Sequence, residues 1–305
     1  MKKSWSRRGL QTLAAGIWLL VCWIPVLCQA RSEVAQKDPQ STATAKIGGK
    51  GSGLVNLLLI GQDQREGEVG SRADTIVLCT FHKEEDKITL TSFLRDLYVD
   101  IPGHRSNRLN AAYALGGSAL LRQTLEENFG ILIDGCIEVD FGQFCQLVEL
   151  QGGIRLNLRQ DEADWINTNV ENSHLTQGLQ QLNGSQALAY ARIRNLDPDG
   201  DFSRTNRHRA ILTALLGNCQ DIGLKEVRSL LNSASDMIST DMKKTRMIAL
   251  AAELFPMIED CQLVSQRIPA DGTYTNEKIH GMAVLAADMN AARELLQQSL
   301  GKITQ

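Results

Sequence analysis

Between Ala187 and Arg209 the sequence reads ALAYARIRNLDPDGDFSRTNRHR, with five arginines, one histidine and three aspartates in 23 residues. Arginine stays charged at any relevant pH, and its planar fork grips phosphate oxygens two at a time. Arg204, Arg207 and His208 stand at i, i+3 and i+4, so a helix here puts them on one face. Arg192 and Arg194 precede them across an acidic loop, and if that loop folds back, four arginines converge. Three readings compete: a solvated face laced with Asp–Arg pairs, a nucleic-acid patch, and a pocket for a small, densely charged phosphate group. The formal net charge of −3 counts against the second, because general nucleic-acid binding needs a basic domain or stripe. The DPDGD run is no EF-hand, since Phe202 fills the position that requires glycine and His208 the one that requires glutamate.

A second charged cluster lies earlier, in GQDQREGEVGSRADT. It sets Asp63 just after one apolar run and Asp74 at the start of the next, with Arg65 and Arg72 between. Two neighbouring carboxylates repel unless a cation separates them, which is how proteins hold Mg²⁺ against substrate phosphates. The bland alternative is a polar loop with local ion pairs. SFLRD then places Arg95 and Asp96 at the end of a third apolar run, and SNRLNAAYALGG places Arg108 and Asn110 ahead of a helical pattern. Strand ends and their loops are where open α/β sheets bind ligands.

The elements that must carry these residues follow from hydrophobic periodicity. Strands are predicted at Leu54–Gly61, Asp74–Phe81, Lys87–Leu94, Cys136–Phe141, Gly153–Leu158 and Gln262–Arg267. Helices are predicted at Leu109–Gly130 with a Gly-Gly break, Phe141–Gly153, Ser185–Arg194 and Ser203–Asn218, with Ser203 as N-cap of the last. Three more are predicted at Leu224–Ser235, Lys243–Phe255 and Gly281–Leu300. Strands alternate with helices, so the class is α/β or α+β, with helices covering a mixed sheet.

The N-terminus adds a location. Residues 1–9 carry Lys2, Lys3, Arg7 and Arg8, and an apolar stretch follows over 10–30. As a helix, its uncharged part spans about 28 Å, close to the bilayer core of about 30 Å. A single-pass anchor leaves the basic flank cytoplasmic and the rest of the chain outside the cell membrane. The alternative is a signal peptide cleaved after Ala30, and either reading exports the domain. Residues 31–53 are polar and small and read as a flexible linker, leaving 54–305 as the exported domain. Seven cysteines show no zinc-ligand spacing. Cys219 and Cys261 are the first pair to test for a disulfide, with buried thiols as the other reading.

Taken in order, NLLLIGQD, SRADT, SFLRDLYVDIPG, RLNAAYALGG, IEVDFGQF, GGI, LNGSQALAYARIR and SRTNRHR resemble the LytR-CpsA-Psr family of cell-wall glycopolymer transferases over roughly 54–216. The resemblance implies a three-layer α/β/α sandwich with a mixed central sheet and a hydrophobic lipid tunnel. It implies transfer of a glycopolymer from a polyprenyl pyrophosphate carrier to the 6-hydroxyl of muramic acid in peptidoglycan, with Mg²⁺ as cofactor and no nucleic-acid partner. Asp63 and Asp74 match the acidic pair near the metal. Arg95, Arg192 and Arg194 match pyrophosphate-binding, catalytic arginines. Arg108, Arg204, Arg207 and His208 join the pyrophosphate-binding set, and Asp74 is the candidate base. Two departures stand out. Tyr98 and Val99 occupy the place of a second arginine after Arg95, for which Arg65, Arg72 or Arg108 can compensate. His208 stands where glutamine is common and brings a group that titrates near neutral pH. The same residues would also serve a polyprenyl-pyrophosphate hydrolase, and a non-catalytic envelope module is the third reading.

Overall fold

The computed structural model describes residue 48 and residues 52–63, 72–194, 196–197, 201–217, 238–258 and 261–300. The proposed anchor, most of the linker, Arg65, Cys219 and the helix expected at 224–235 lie outside them. A six-stranded mixed sheet runs through the middle of the molecule. Its principal strands are β1 (Leu54–Asp63), β2 (Arg72–His82), β3 (Lys87–Phe93), β6 (Gly135–Val139) and β10 (Gln262–Ile268), and the short β9 (Ser239–Thr240) completes one edge. The order is β10-β3-β2-β1-β6-β9. β1 pairs antiparallel with β2 and parallel with β6, and β10 pairs parallel with β3.

The strands read as continuous apolar runs because both sheet faces are covered. Val55, Leu57, Val77, Cys79 and Ile137 point to one side. There they meet α2 (Phe141–Leu150), α3 (Gln160–Asn169), α4 (Gly184–Arg192), α5 (Asp201–Gly217) and the helix Lys244–Ile258. Leu58, Ile60, Ile76, Leu78 and Cys136 point to the other side, against α1 (Leu109–Phe129) and the C-terminal helix Met289–Leu300. The three-layer arrangement is therefore present. Asp140 and Asn183 cap α2 and α4 with reciprocal capping boxes to Gln143 and Gln186. The expected break in α1 is at Gly116 and Gly117, where φ reaches 64° at Gly117.

Three sequence expectations change. The run Gly281–Leu300 is not one helix. It holds β12 (Met282–Ala287), paired with β11 (Tyr274–Ile279), and only then the helix from Met289. His280 and Gly281 form the two-residue turn, both with positive φ, which is the type I′ geometry of a tight hairpin. α5 begins at Asp201, so Ser203 lies inside it and is no N-cap. α3 and the strand β8 (Gly178–Leu182), which pairs with β7 (Ile154–Leu158), were not expected at all. A small ladder of β4 (Tyr98–Val99) and β5 (Asn107–Arg108) leads into α1.

Candidate functional site

The site is built around an irregularity in β2. The ladder between β1 and β2 pairs Gly61 with Thr75 and then Gln62 with Ala73, so Asp74 is the extra residue of a bulge. Strict alternation would send Asp74 to the α1 side with Ile76. A bulge re-aims a side chain at a sheet edge, and here it turns the carboxylate toward helices α4 and α5. Gly61 permits the close pairing, since a Cβ there would lie 2.9 Å from that of Thr75.

Three guanidiniums converge on Asp74. Arg95, just past β3, donates from Nη1 to Oδ1 at 2.8 Å. Arg194, after α4, donates from Nη2 to Oδ2 at 3.1 Å. Arg204, on α5, lies 3.4 Å from Oδ2 and 3.3 Å from the Asp74 carbonyl oxygen. Burial disfavours the charged carboxylate, but Arg204, Arg95 and Arg194 outweigh it and hold Asp74 below the usual carboxylate range. Arg192, in the last turn of α4, lies over the Phe141 ring at 5.2 Å from its centroid. Among the described residues Arg192 has no ion-pair partner, so its charge faces the mouth unneutralised.

Behind this mouth lies an apolar cavity of about 810 Å³. Leu59, Ile137 and Val139 of the sheet form its floor, and Phe144, Trp165, Leu188, Ile211, Leu212 and Leu215 form its walls. Asp74, Thr75, Arg192, Arg194, Arg204 and His208 rim one end, and Asn169 and Glu171 lie on its lining as well. The shape suits an amphiphile with a long apolar tail and a compact anionic head.

Asp74, Arg95, Arg192, Arg194, Arg204 and His208 meet here, while Arg207, Arg108 and Asp63 are placed away from the lining. Arg207 does not face the mouth. Its side chain is 4% exposed and is held by Glu162 Oε1 at 3.0 Å, by Asp197, and by the Ile193 carbonyl at 3.4 Å. One step along the helix rotates a side chain by about 100°, enough to separate it from His208. Arg207 is thus a buried brace between α3, the Ile193 carbonyl and Asp197, placed away from the mouth where a pyrophosphate role was expected.

His208 lines the mouth but offers it no proton. Its Nε2 lies 3.2 Å from the Ala191 carbonyl oxygen, which can only accept, so Nε2 carries the hydrogen. Nδ1 then accepts from the Thr75 hydroxyl at 3.0 Å. Burial, reinforced by Arg204, pushes the imidazole down to about 3. The expected titration near neutral pH is therefore corrected. His208 is a neutral strap tying β2 to α4, with both ring nitrogens engaged.

Arg108 stands directly across the β4–β5 ladder from Tyr98, the position that lacks an arginine. It lies 3.4 Å from Asp96, which in turn lies 3.6 Å from Arg95. Arg108 is absent from the cavity lining and sits one carboxylate away from the mouth. Arg72 is exposed, and Asp63 ends β1 opposite Arg72 in the ladder. Among the described residues no three His, Cys, Asp or Glu side chains converge as a metal cage. Sequence reasoning missed Phe141, Glu162 and Asp197 as supports of the arginines. The capping signal of α2 could have flagged Phe141, but nothing in the sequence singles out Glu162.

A mixed sheet with one filled face, one cavity-bearing face and an arginine-rimmed mouth defines an α/β protein built around an amphiphile-shaped site. The chain belongs to the LytR_cpsA_psr family, whose sequence profile matches residues 26–299. It is 34% identical over 200 residues to the regulatory protein MsrR of Staphylococcus aureus, a match covering 64% of this chain and 59% of that one. It is 29% identical over 250 residues to TagU of Oceanobacillus iheyensis, a polyisoprenyl-teichoic acid–peptidoglycan teichoic acid transferase, covering 79% of this chain and 76% of that one. The fold is similar to that of YwtF (TagT) of Bacillus subtilis solved with a bound octaprenyl pyrophosphate lipid. The TM-score is 0.65 at 25% identity, over 86% of this chain and 96% of that one.

Proposed function

We propose that this protein transfers a glycopolymer from a polyprenyl pyrophosphate carrier to peptidoglycan, forming a phosphodiester on the muramic acid 6-hydroxyl. One observation carries the reading: an apolar cavity of about 810 Å³ ends at Asp74, where Arg95, Arg194 and Arg204 converge and Arg192 has no ion partner among the described residues. The TagU relative and the lipid-bound TagT structure support the same class of donor.

The chemistry follows from the geometry. The lipid tail enters the cavity and the diphosphate oxygens take up Arg95, Arg192, Arg194 and Arg204. Phosphoryl transfer asks the protein chiefly for positioning and charge neutralisation, and preorganised guanidiniums supply both. The acceptor hydroxyl oxygen attacks the phosphorus bearing the glycopolymer. The bond from that phosphorus to the bridging oxygen breaks, and polyprenyl phosphate leaves with the electron pair. Asp74 receives the hydroxyl proton. Held by three arginines its carboxylate is a weak base, and transfer of those arginines to the diphosphate raises its basicity.

Asp74 and Asp63 are the residues that would hold Mg²⁺ against the substrate phosphates. Asp74 offers hard carboxylate oxygens, Asp63 lies on the neighbouring strand end, and such ions are held by one or two carboxylates plus substrate phosphates. When bound, the ion neutralises developing charge on the diphosphate. Residues 10–30 would anchor the domain on the outer face of the membrane, beside both lipid donor and wall acceptor.

Reconstitution tests the proposal. The full chain, Mg²⁺, a polyprenyl-pyrophosphoryl oligosaccharide and uncrosslinked peptidoglycan are mixed, and the peptidoglycan is examined by mass spectrometry. A glycan phosphodiester that requires acceptor and is lost in Arg192→Ala is expected. Polyprenyl phosphate released equally without acceptor would instead identify a hydrolase.

A further inference from the structure

A cluster of two aromatic rings and an arginine outside the cavity lining is left unused by this mechanism. Phe202 lies in the first turn of α5, two residues before Arg204. Tyr274 stacks against it at 5.3 Å between ring centroids, tilted by 33°. The guanidinium of Arg267 lies over the Phe202 ring at 4.5 Å from its centroid. Arg267 also pairs with Asp271, whose side chain is 85% exposed. Both rings are half-buried.

Two attachments fix this cluster to the reaction centre. Arg267 on β10 stands in register with Ser92 on β3, three residues before Arg95. β12, the partner strand of the Tyr274 strand, is tied by a hydrogen bond from the Leu285 amide to the Asp96 carbonyl at 2.9 Å. Neither β10 nor the hairpin contributes a residue to the cavity lining. A ligand whose tail fills the cavity and whose diphosphate sits at Asp74 has its remaining part outside the cavity, and this cluster is joined to the elements that carry Arg95, Asp96 and Arg204.

We infer that Phe202, Tyr274 and Arg267 form a saccharide subsite beside the diphosphate site, taking one pyranose ring. The apolar C–H face of a pyranose packs on an aromatic plane, while its hydroxyls hydrogen-bond to a charged fork and a carboxylate. Aromatic walls with a few placed polar groups are the usual build of such sites. The inference rests on the proposed function, because the pyranose must come from the donor glycan or from the acceptor strand.

Binding of the full chain to three probes separates the outcomes: polyprenyl pyrophosphate without sugar, polyprenyl-pyrophosphoryl disaccharide, and a soluble uncrosslinked peptidoglycan oligomer. Tyr274→Ala and the milder Phe202→Leu are compared with wild type, with Tyr274→Phe as the variant that keeps the stack. Each disruptive variant is expected to weaken a sugar-bearing probe about two- to tenfold, the range of one aromatic stacking contact. The sugar-free lipid is expected to bind unchanged and Tyr274→Phe to retain most of the affinity. Selective loss of the disaccharide lipid assigns the subsite to the donor, and selective loss of the oligomer assigns it to the acceptor. Unchanged binding of both sugar probes, or equal loss of the sugar-free lipid, overturns the subsite and leaves the cluster as a fastening for the hairpin. If wild type binds the sugar-free lipid no better than an uncharged isoprenoid, the functional reading itself fails, and the subsite with it.

Discussion

On one face of the central sheet, Ile60, Ile76, Leu78 and Cys136 meet α1 and the C-terminal helix in a filled core. On the other, Leu59, Ile137 and Val139 look into a cavity of about 810 Å³. The same strands supply both faces by alternation, so the difference lies in what covers them. α1 spans 21 residues across its Gly116–Gly117 kink and buries Leu109, Ala112, Tyr113, Leu121, Leu125 and Phe129. Among the described residues the cavity side is covered by five helices, of which α2, α3 and α4 are only 10, 10 and 9 residues long and each fixed at an end by polar contacts: a capping box on Asp140, Arg207 on Glu162, and His208 on Ala191. Between these helices, α5 and the strand residues Leu59, Ile137 and Val139, space is left unfilled. A space that would otherwise be a packing defect becomes room for a ligand.

A second contrast sits within one helix. Arg204 and Arg207 are both about 4% exposed, one turn apart, and each holds carboxylates. Arg207 works inward on Glu162 and Asp197, and Arg204 works on Asp74 at the mouth. Asp197 would keep Arg159 at 2.8 Å, but the buried Glu162 would be left with Arg159 at 3.8 Å as its remaining ion pair among the described residues, so Arg207→Ala should lower unfolding free energy by about 3 kcal/mol in a denaturant titration. Arg204→Ala leaves Asp74 with two other arginines. It should cost transfer about 10²–10³-fold, the scale of one lost transition-state donor, with a smaller fall in stability. Equal stability losses in the two variants would erase the distinction.

The two sheet faces can be separated in the same way. Leu78→Ala opens a void in the filled face and should cost about 2–5 kcal/mol. Leu188→Ala or Leu212→Ala only enlarges an existing cavity and should cost about 1 kcal/mol. Unfolding midpoints of the three variants decide it, and a cavity-side cost as large as the core-side one would mean that the space collapses in solution.

The smallest effect concerns pH. His208 has a folded pKa of about 3 against an ordinary value of 6.5. The unfolded chain therefore binds the proton first, and the stability that neutral His208 contributes is fully present above about 6.5. It is lost as pH falls from there toward 3. Asp74, also depressed, loses its contribution in acid as well. The Nε2–H tautomer should persist at pH 5 in nitrogen-detected NMR of the imidazole, and transfer should show no His208 step between about pH 6 and 8. A ring that titrates near 6.5 would contradict the strap.

Much of this was legible in the chain. The three long strands, the Gly-Gly break in α1 and the helix of arginines follow from periodicity and from Gly116–Gly117. The meeting of Asp74 with Arg95, Arg194 and Arg204 was expected from charge at strand ends and from an ordered set of motifs. What stayed hidden has physical causes. QDEADWINTN shows too little apolar periodicity to announce α3, whose buried residues are only Glu162, Ala163 and Ile166. MAVLAADMNAARELL reads as one helix until the His280–Gly281 turn is recognised. The bulge at Asp74 leaves no trace in residue type, and Arg207 differs from Arg204 only in which carboxylate its helix position reaches. The cavity residues are as apolar as the core residues, so no sequence pattern separates lining from filling.

The central claim is that the cavity holds an isoprenoid whose diphosphate sits at Asp74. A polyprenyl pyrophosphate bearing a benzophenone on its terminal isoprene unit, irradiated with the full chain and mapped by peptide mass spectrometry, tests it directly. The account predicts crosslinks to Phe144, Trp165, Leu188 or Leu212, abolished by excess unlabelled lipid. Crosslinks confined to α1 or the C-terminal helix, or insensitive to competition, would contradict it.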